Sequence, residues 1–203
     1  MYIFDGAMGT MLQAAGLEEG YCPELFNVEK PEVVKNINAQ YLQHGSDVIT
    51  TNTFGACGLK LEDYDLQDRV REINIAAVKV AKDAIAEFKP SARVAGSMGP
   101  TGRFLQPLGN MSFDSIYDTY REQADALIEG GVDFIIIETI IDVQEMRAAL
   151  FTTSKTWIFP ALLLLPAWWQ SFPTTKTIIR RSTTTPNRGV CGTTRYIIFL
   201  VIT

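Results

Sequence analysis

Four short apolar runs recur along the first 150 residues of this 203-residue chain, and their spacing limits the folds that are possible. They lie at residues 2–4, 48–51, 93–98 and 134–137, so successive runs begin roughly 40 to 46 residues apart. Each run is continuously apolar and does not alternate with polar residues, which is typical of parallel strands buried on both faces. The intervals are long enough for one helix and its loops in each repeat.

The segments between these runs have the periodicity of amphipathic helices. Helices are predicted from Pro31 to Gly45, from about residue 66 to residue 88 and from about residue 114 to residue 129, and a fourth begins near Val143. Alternating strands and helices predict an α/β fold in which a parallel sheet is covered by helices.

Both a barrel and a doubly wound sheet satisfy this pattern, and the residues that end the strands distinguish between them. Polar residues stand at each predicted strand end, namely Asp5, Thr51 with Asn52, Ser97 and Glu138. In a (β/α)8 TIM barrel these positions meet on one face, which carries the active site. We therefore predict the TIM-barrel type of fold, with about the first four β/α units present in residues 1–150.

The composition changes near residue 150. All 23 acidic residues precede that point, whereas residues 151–203 contain none and hold all three tryptophans. Neither a helical nor an alternating period is sustained there. Reading the codons of residues 155–160 one base earlier would introduce an aspartate, so a frameshift near Leu150 explains the change. We predict a partial barrel at 1–150 and an out-of-frame or unstructured tail at 151–203.

Charge, apolar run length and cysteine spacing exclude several classes of protein. A net charge of −5 argues against a nucleic-acid binder, which needs a basic surface. No apolar run approaches the ~18 residues of a membrane span, and no leader sequence is recognised. The three cysteines, Cys22, Cys57 and Cys191, lack the Cys-x-x-Cys spacing and fit a reducing compartment. A cytoplasmic location is expected.

Four strand-end segments carry a family resemblance. They read Asp5-Gly-Ala-Met-Gly-Thr10, Gly45-Ser-Asp-Val-Ile-Thr-Thr-Asn-Thr-Phe-Gly55, Gly96-Ser-Met-Gly-Pro-Thr-Gly102 and Glu138-Thr139. Together they resemble the homocysteine-binding domain of cobalamin-dependent methionine synthases, within the homocysteine S-methyltransferase family. The resemblance covers residues 1–150 and does not extend into residues 151–203.

The resemblance implies methyl transfer to the homocysteine thiolate, which yields methionine. It implies a zinc ion that keeps the thiol deprotonated, and methylcobalamin and methyltetrahydrofolate carried by modules that this chain does not contain. Residue by residue, it implies that Asp5 and Glu138 receive the substrate's ammonium group. Backbone groups of Ala7 and Met8 would meet its carboxylate, and Asn52 would line the same pocket.

Each of these assignments has an alternative that assigns the residue a structural role. The alternative for Asp5 is that its side chain caps the turn after the first strand. The alternative for Asn52 is a side chain that satisfies the hydrogen bonds of loop backbone. Glu138 ends a predicted strand, where most polar residues of such barrels serve the active site.

The zinc cysteines that the resemblance implies are not intact in this chain. In the family, one lies in an Asn-Cys-Ser segment and two lie in a Gly-Gly-Cys-Cys-Gly-Thr-Thr segment. The segment Gly189-Val-Cys-Gly-Thr-Thr194 is similar to the second, but Val190 stands where the other cysteine is expected. Cys191 is therefore the one metal-ligand candidate, and one thiolate cannot supply the roughly four ligands of a zinc site.

Three hypotheses follow for the function. The first is a homocysteine S-methyltransferase-type domain that is truncated and, as it stands, inactive. The second is a non-catalytic half-barrel with no activity of its own. The third is a different (β/α)-barrel enzyme, a lyase or an aldolase. That reading requires a Schiff-base lysine or metal-binding carboxylates at strand ends, and no predicted strand ends in lysine.

Overall fold

The computed structural model of the chain describes residues 2–155 and 161–164. Four strands form one sheet in which all neighbours are parallel, and their spatial order is their order in the chain. The strands are β1 (Val48–Thr50), β2 (Arg93–Met98), β3 (Phe134–Glu138) and β4 (Ala161–Leu164). The predicted α/β class with a parallel sheet is confirmed.

The segment before β1 pairs with the edge of β1 that does not face β2, so it precedes β1 in the sheet as it does in the chain. Phe4 forms a parallel bridge with Val48, and the carbonyl of Ile3 accepts a hydrogen bond from the Val48 amide at 3.1 Å. A doubly wound sheet reverses its strand order at some point, whereas a (β/α) barrel does not. The described strands show no such reversal.

Helices connect the strands and pack against the sheet. The α-helices are α1 (Met8–Ala14), α2 (Phe26–Glu29), α3 (Pro31–Gln43), α4 (Gly58–Leu61), α5 (Val70–Phe88), α6 (Phe113–Gly130) and α7 (Val143–Lys155). The three predicted helices between residues 31 and 129 are confirmed, each within a few residues of its expected ends, and α3, α5, α6 and α7 pack side by side in that order. Within the described residues, none of these helices is long and apolar enough to cross a membrane.

The structure differs from the sequence predictions at both ends of the chain. The strand predicted at residues 2–4 is reduced to the single bridge at Phe4, and α1 and α2 were not predicted. Helix α7 continues beyond Leu150 to Lys155, and β4, which pairs in parallel with β3, lies within the predicted tail. Cys191 lies outside the described residues, and the tail interpretation stays a prediction.

The face of the sheet that packs against the helices carries the larger part of the hydrophobic core. Strand residues such as Ile49 and Ile137 are fully buried there, in one cluster with residues of the helices. Helix α6 contributes Tyr120 and Leu127, which are also fully buried. This packing holds the sheet and its helices as one layer upon another.

The opposite face of the sheet carries a smaller apolar cluster made of Val48, Ala95 and Ile136. The rings of Phe4 and Phe134 cover it, with centroids 6.2 Å apart in an edge-to-face arrangement. Side chains alternate between the two faces of a strand, so residues two positions further along share this face. The face is therefore continued by polar residues at the carboxyl ends of the strands.

Those polar residues are Thr50, Ser97 and Glu138, each two positions beyond a member of the apolar cluster. The strands are parallel, and their carboxyl ends consequently meet at one edge of the sheet. The fold thus places an apolar floor below a polar edge, which is where barrel enzymes carry their active sites.

A glycine ends α6, and its replacement tests the local backbone. Gly131 has φ of 87°, in the left-handed region that alanine adopts only with strain. We expect Gly131→Ala to lower the free energy of unfolding by about 1 kcal/mol, measured by urea denaturation with circular dichroism. Gly9→Ala is the matched control, since Gly9 is helical and an added Cβ meets no atom within 4 Å. Equal losses in both variants would contradict the argument.

Candidate active site

Asp5 follows the bridge at Phe4 and links the first loop to the end of β1. Its carboxylate accepts hydrogen bonds from the Thr50 amide at 2.8 Å and from the Thr50 hydroxyl at 2.9 Å. These bonds join residues 45 positions apart in the chain and do not reach the turn that follows Asp5. They hold the carboxylate at the polar edge of the sheet.

Burial raises the pKa of Asp5 to about 7, well above the usual value of an aspartate. The hydrogen bonds from Thr50 lower this pKa, but they do not offset the loss of hydration. The negative charge of Glu138 raises it further. The charge of Glu138 therefore reaches Asp5 and adds to the effect of burial.

Glu138 is the last residue of β3 and the second acid of the site. Its Oε1 accepts a hydrogen bond from the Ser97 hydroxyl at 2.6 Å. Burial raises the pKa of Glu138, and the bond from Ser97 opposes that increase. Thr139, which comes next, has φ of 63°, a conformation that β-branched residues rarely adopt. The chain therefore turns sharply directly after the carboxylate.

The two carboxylates share one further property, which is the lack of a cationic partner among the described residues. Neither Asp5 nor Glu138 belongs to an ion pair in that part of the chain. Partly buried acids without a counter-charge are costly, and both pKa values are raised accordingly. A cation placed between them would restore the ionised state of both groups.

Ala7 and Met8 lie where α1 begins, and only Gly6 separates them from Asp5. Ala7 precedes the helix in an extended conformation, and Met8 is its first residue. The first amides of a helix have no partner within the helix, so they are available to an acceptor. The Tyr41 hydroxyl donates to the Ala7 carbonyl at 2.9 Å and thereby holds this loop against α3.

Asn52 lies just after β1 and is largely buried, with 7% of its surface exposed. Its side-chain amide donates to the Pro23 carbonyl at 2.8 Å, and its own carbonyl accepts from the Asn27 side chain at 2.7 Å. These are the loop-stabilising contacts that the alternative interpretation predicts. The pocket-lining role of Asn52 stays a prediction.

The described residues do not fit the zinc site that the family resemblance implies. In that part of the chain, no group of three or more His, Cys, Asp or Glu residues could hold a metal ion. Burial raises the pKa of both Cys22 and Cys57 to about 12, so neither thiol is a ready thiolate.

Two residues of the site were missed when roles were assigned from the sequence. Thr50 holds Asp5, and Ser97 holds Glu138, by the hydrogen bonds given above. The alternation of strand side chains could have placed both at the site. Thr50 lies two positions after the buried Val48, and Ser97 lies two positions after the buried Ala95, so each shares the face of that apolar residue. Small hydroxyl side chains attract no functional assignment unless their neighbours in space are known.

Comparison with known proteins gives the family of the chain. A sequence profile of the family described as homocysteine S-methyltransferase matches residues 2–190. The profile thus extends beyond Leu150, where sequence analysis placed the end of the resemblance.

Two similar proteins are both named methionine synthase. The protein from Mycobacterium tuberculosis (strain ATCC 25618 / H37Rv) is 39% identical over 161 residues, and that from Mycobacterium leprae (strain TN) is 36% identical over 161 residues. Each alignment covers 74% of this chain but only 13% of the relative. The chain therefore spans a small part of the length of these relatives.

A solved structure shows the same fold. The crystal structure of the homocysteine methyltransferase MmuM from Escherichia coli, in its metallated form, superimposes with a TM-score of 0.69 at 24% sequence identity. The superposition covers 80% of this chain and 62% of that one.

Proposed function

The chain belongs to the homocysteine S-methyltransferase family, and we propose that Asp5 and Glu138 bind the ammonium group of homocysteine. The observation that carries this proposal is the pair of partly buried carboxylates, each with a raised pKa, at one edge of a parallel sheet. An ammonium group offers a full positive charge and three hydrogen-bond donors. It would bridge the two acids and remove the cost of their burial.

The carboxylate of the same amino acid would bind the backbone amides at Ala7 and Met8. The ammonium and carboxylate groups of an amino acid are attached to one carbon, so their two sites must be adjacent. Only Gly6 separates Asp5 from Ala7, and Met8 is the first residue of α1. Amides at the start of a helix favour an anion.

The chemistry proposed for this site is methyl transfer to sulfur. A new bond would form between the homocysteine sulfur and the methyl carbon while the bond from that carbon to its donor breaks; the thiol proton would be lost, the demethylated donor would leave, and methionine would be the product. The methyl donors of the proposed reaction, methylcobalamin and methyltetrahydrofolate, would be carried by modules outside this chain. A zinc ion would favour the thiolate in a complete family member.

The proposal for this chain is narrower than methyl transfer. We expect a (β/α) barrel arrangement, since the described strands follow barrel order. We expect this chain to bind homocysteine but not to transfer the methyl group by itself. The reason is that neither cysteine motif of the family is intact in its sequence. A non-catalytic homocysteine-binding chain is therefore the favoured form of the function.

Calorimetric titration of the purified chain with homocysteine tests the proposal, alongside γ-mercaptobutyrate, which is homocysteine without its amino group. We expect homocysteine to bind at least about tenfold more tightly than the analogue, because only it carries the cation. Metal analysis of the same sample should show no stoichiometric zinc. Equal binding of the two ligands would overturn the ammonium site, and stoichiometric zinc would overturn the account of the cysteines.

The affinity for homocysteine should depend on pH through Asp5. In the chain without ligand, the carboxyl group of Asp5 has a pKa of about 7. The ammonium group binds the ionised form of this carboxyl group, so lowering the pH through 7 weakens homocysteine binding. Binding is expected to be about tenfold weaker near pH 6 than near pH 8. Asp5→Asn should flatten this part of the profile. A wild-type profile that is already flat over this range would contradict the assignment of Asp5.

A further inference from the structure

We propose that Ser97 is a positioning residue for the substrate's ammonium group, because its hydroxyl fixes the orientation of Glu138. We further infer that the hydroxyls of Thr51 and Thr53 fix Ser97 in turn. The inference rests on the proposed function, since it assigns a role within the same homocysteine site.

The first support is the difference in length between β1 and β2. β1 ends at Thr50, whereas β2 continues to Met98, so Ser97 has no backbone partner from β1. Threonine side chains bind the backbone of Ser97 instead. The Ser97 amide donates to the Thr51 hydroxyl at 3.1 Å, and the Ser97 carbonyl accepts from the Thr53 hydroxyl at 2.7 Å.

The orientation of each hydroxyl in this group follows from a count of protons. A hydroxyl has one proton to donate, and that of Thr53 goes to the Ser97 carbonyl. The two threonine oxygens lie 2.6 Å apart, so the proton between them must come from Thr51. A closed ring results in which Ser97 donates to Thr51, Thr51 to Thr53 and Thr53 back to Ser97.

Burial and a helix make this ring rigid. Thr51 is 4% exposed, and Thr53 is fully buried, so water does not compete for their hydrogen bonds. Gln123 on α6 is also fully buried, and its side-chain amide donates to the Thr53 carbonyl at 2.8 Å. The backbone of Ser97 is thus held from the sheet and, through Thr53, from the helix layer.

The fixed backbone of Ser97 places its side chain against Glu138. The hydroxyl lies 2.6 Å from Oε1, and an ionised carboxylate can only accept, so the hydroxyl proton points to Glu138. Hydrogen bonds to charged groups are short and strong. This bond engages one carboxylate oxygen, and the geometry leaves the other for the ammonium group of the ligand.

Ser97→Ala tests the inference with the two ligands used above. We expect homocysteine to bind about tenfold more weakly to this variant, which is the effect of a lost hydrogen bond to a charged group. The affinity for γ-mercaptobutyrate should not change, because that ligand does not use Glu138. Ser46→Ala is the matched control, as Ser46 is also buried but lies before β1, away from the polar edge.

A second measurement does not need a ligand. Carbon NMR of the labelled Glu138 carboxyl group gives its pKa in the free chain, and Ser97→Ala should raise that pKa because the bond from Ser97 favours the ionised form. An unchanged pKa would show that the hydroxyl does not hold Glu138 and would overturn the inference.

The remaining outcomes are equally decisive. Unchanged homocysteine affinity in Ser97→Ala overturns the positioning role while the proposed function stands. Equal weakening of both ligands assigns Ser97 a purely structural role and also overturns the inference. A wild-type chain that does not bind homocysteine overturns the proposed function and this role together.

Discussion

Replacing Glu138 with glutamine is expected to weaken homocysteine binding by about a hundredfold near pH 8, because the variant cannot form the buried charge pair between the ligand's ammonium group and residue 138. The glutamine side chain has nearly the same shape, and its carbonyl oxygen can still accept the Ser97 hydroxyl proton. The change therefore removes the charge and little else. Calorimetric titration gives the ratio of the dissociation constants.

Two controls separate this loss of binding from a loss of folding. Glu138→Gln should leave the chain at least as stable as the wild type near pH 8, because it removes a desolvated charge that repels Asp5. Glu129→Gln should leave the affinity unchanged, since Glu129 is paired with Arg71 on the exposed surface of α6. A Glu138→Gln variant that binds homocysteine within threefold of the wild type would exclude Glu138 from the ammonium site.

The largest loss of stability is expected for Glu145→Ala. Glu145 lies in the first turn of α7 and is only 3% exposed. Its Oε1 accepts hydrogen bonds from the Thr101 amide at 2.8 Å and the Thr101 hydroxyl at 2.6 Å. The Tyr120 hydroxyl lies 3.0 Å from the same oxygen and 3.0 Å from the Gly99 carbonyl, so it has a second acceptor.

Truncation at position 145 leaves the two Thr101 donors buried without an acceptor. We expect the free energy of unfolding to fall by about 3 kcal/mol, from urea denaturation followed by circular dichroism. Glu145→Gln retains an oxygen acceptor and should cost less than half as much. The explanation fails if the glutamine variant is destabilised as strongly as the alanine variant.

The sequence was informative where a pattern repeats and uninformative where a contact depends on distant residues. The spacing of Ile73, Ala77 and Ala84 on one helical face predicts α5, and the strand-end position predicts Asp5 and Glu138 as site residues. Helices α1 and α2 are too short to establish a period, so they could not be predicted.

The partners of polar side chains could not be read in the same way. The bond from Asn52 to Pro23 joins two loops whose proximity follows only from the folded chain. Glu145 stands in a first helical turn, where an acid is ordinarily exposed and favoured by the helix dipole. Its burial depends on Thr101, which approaches from another β/α unit.

The hydrogen bonds that build the polar edge span nearly equal lengths of chain. The bond from Thr50 to Asp5 spans 45 residues, that from Thr53 to Ser97 spans 44, and that from Ser97 to Glu138 spans 41. Each bond thus closes a loop of one β/α unit, and the entropy lost in closing each loop is nearly the same. During synthesis, the two residues that each bond joins leave the ribosome in chain order, so the bond nearest the amino terminus can close first and the others after it.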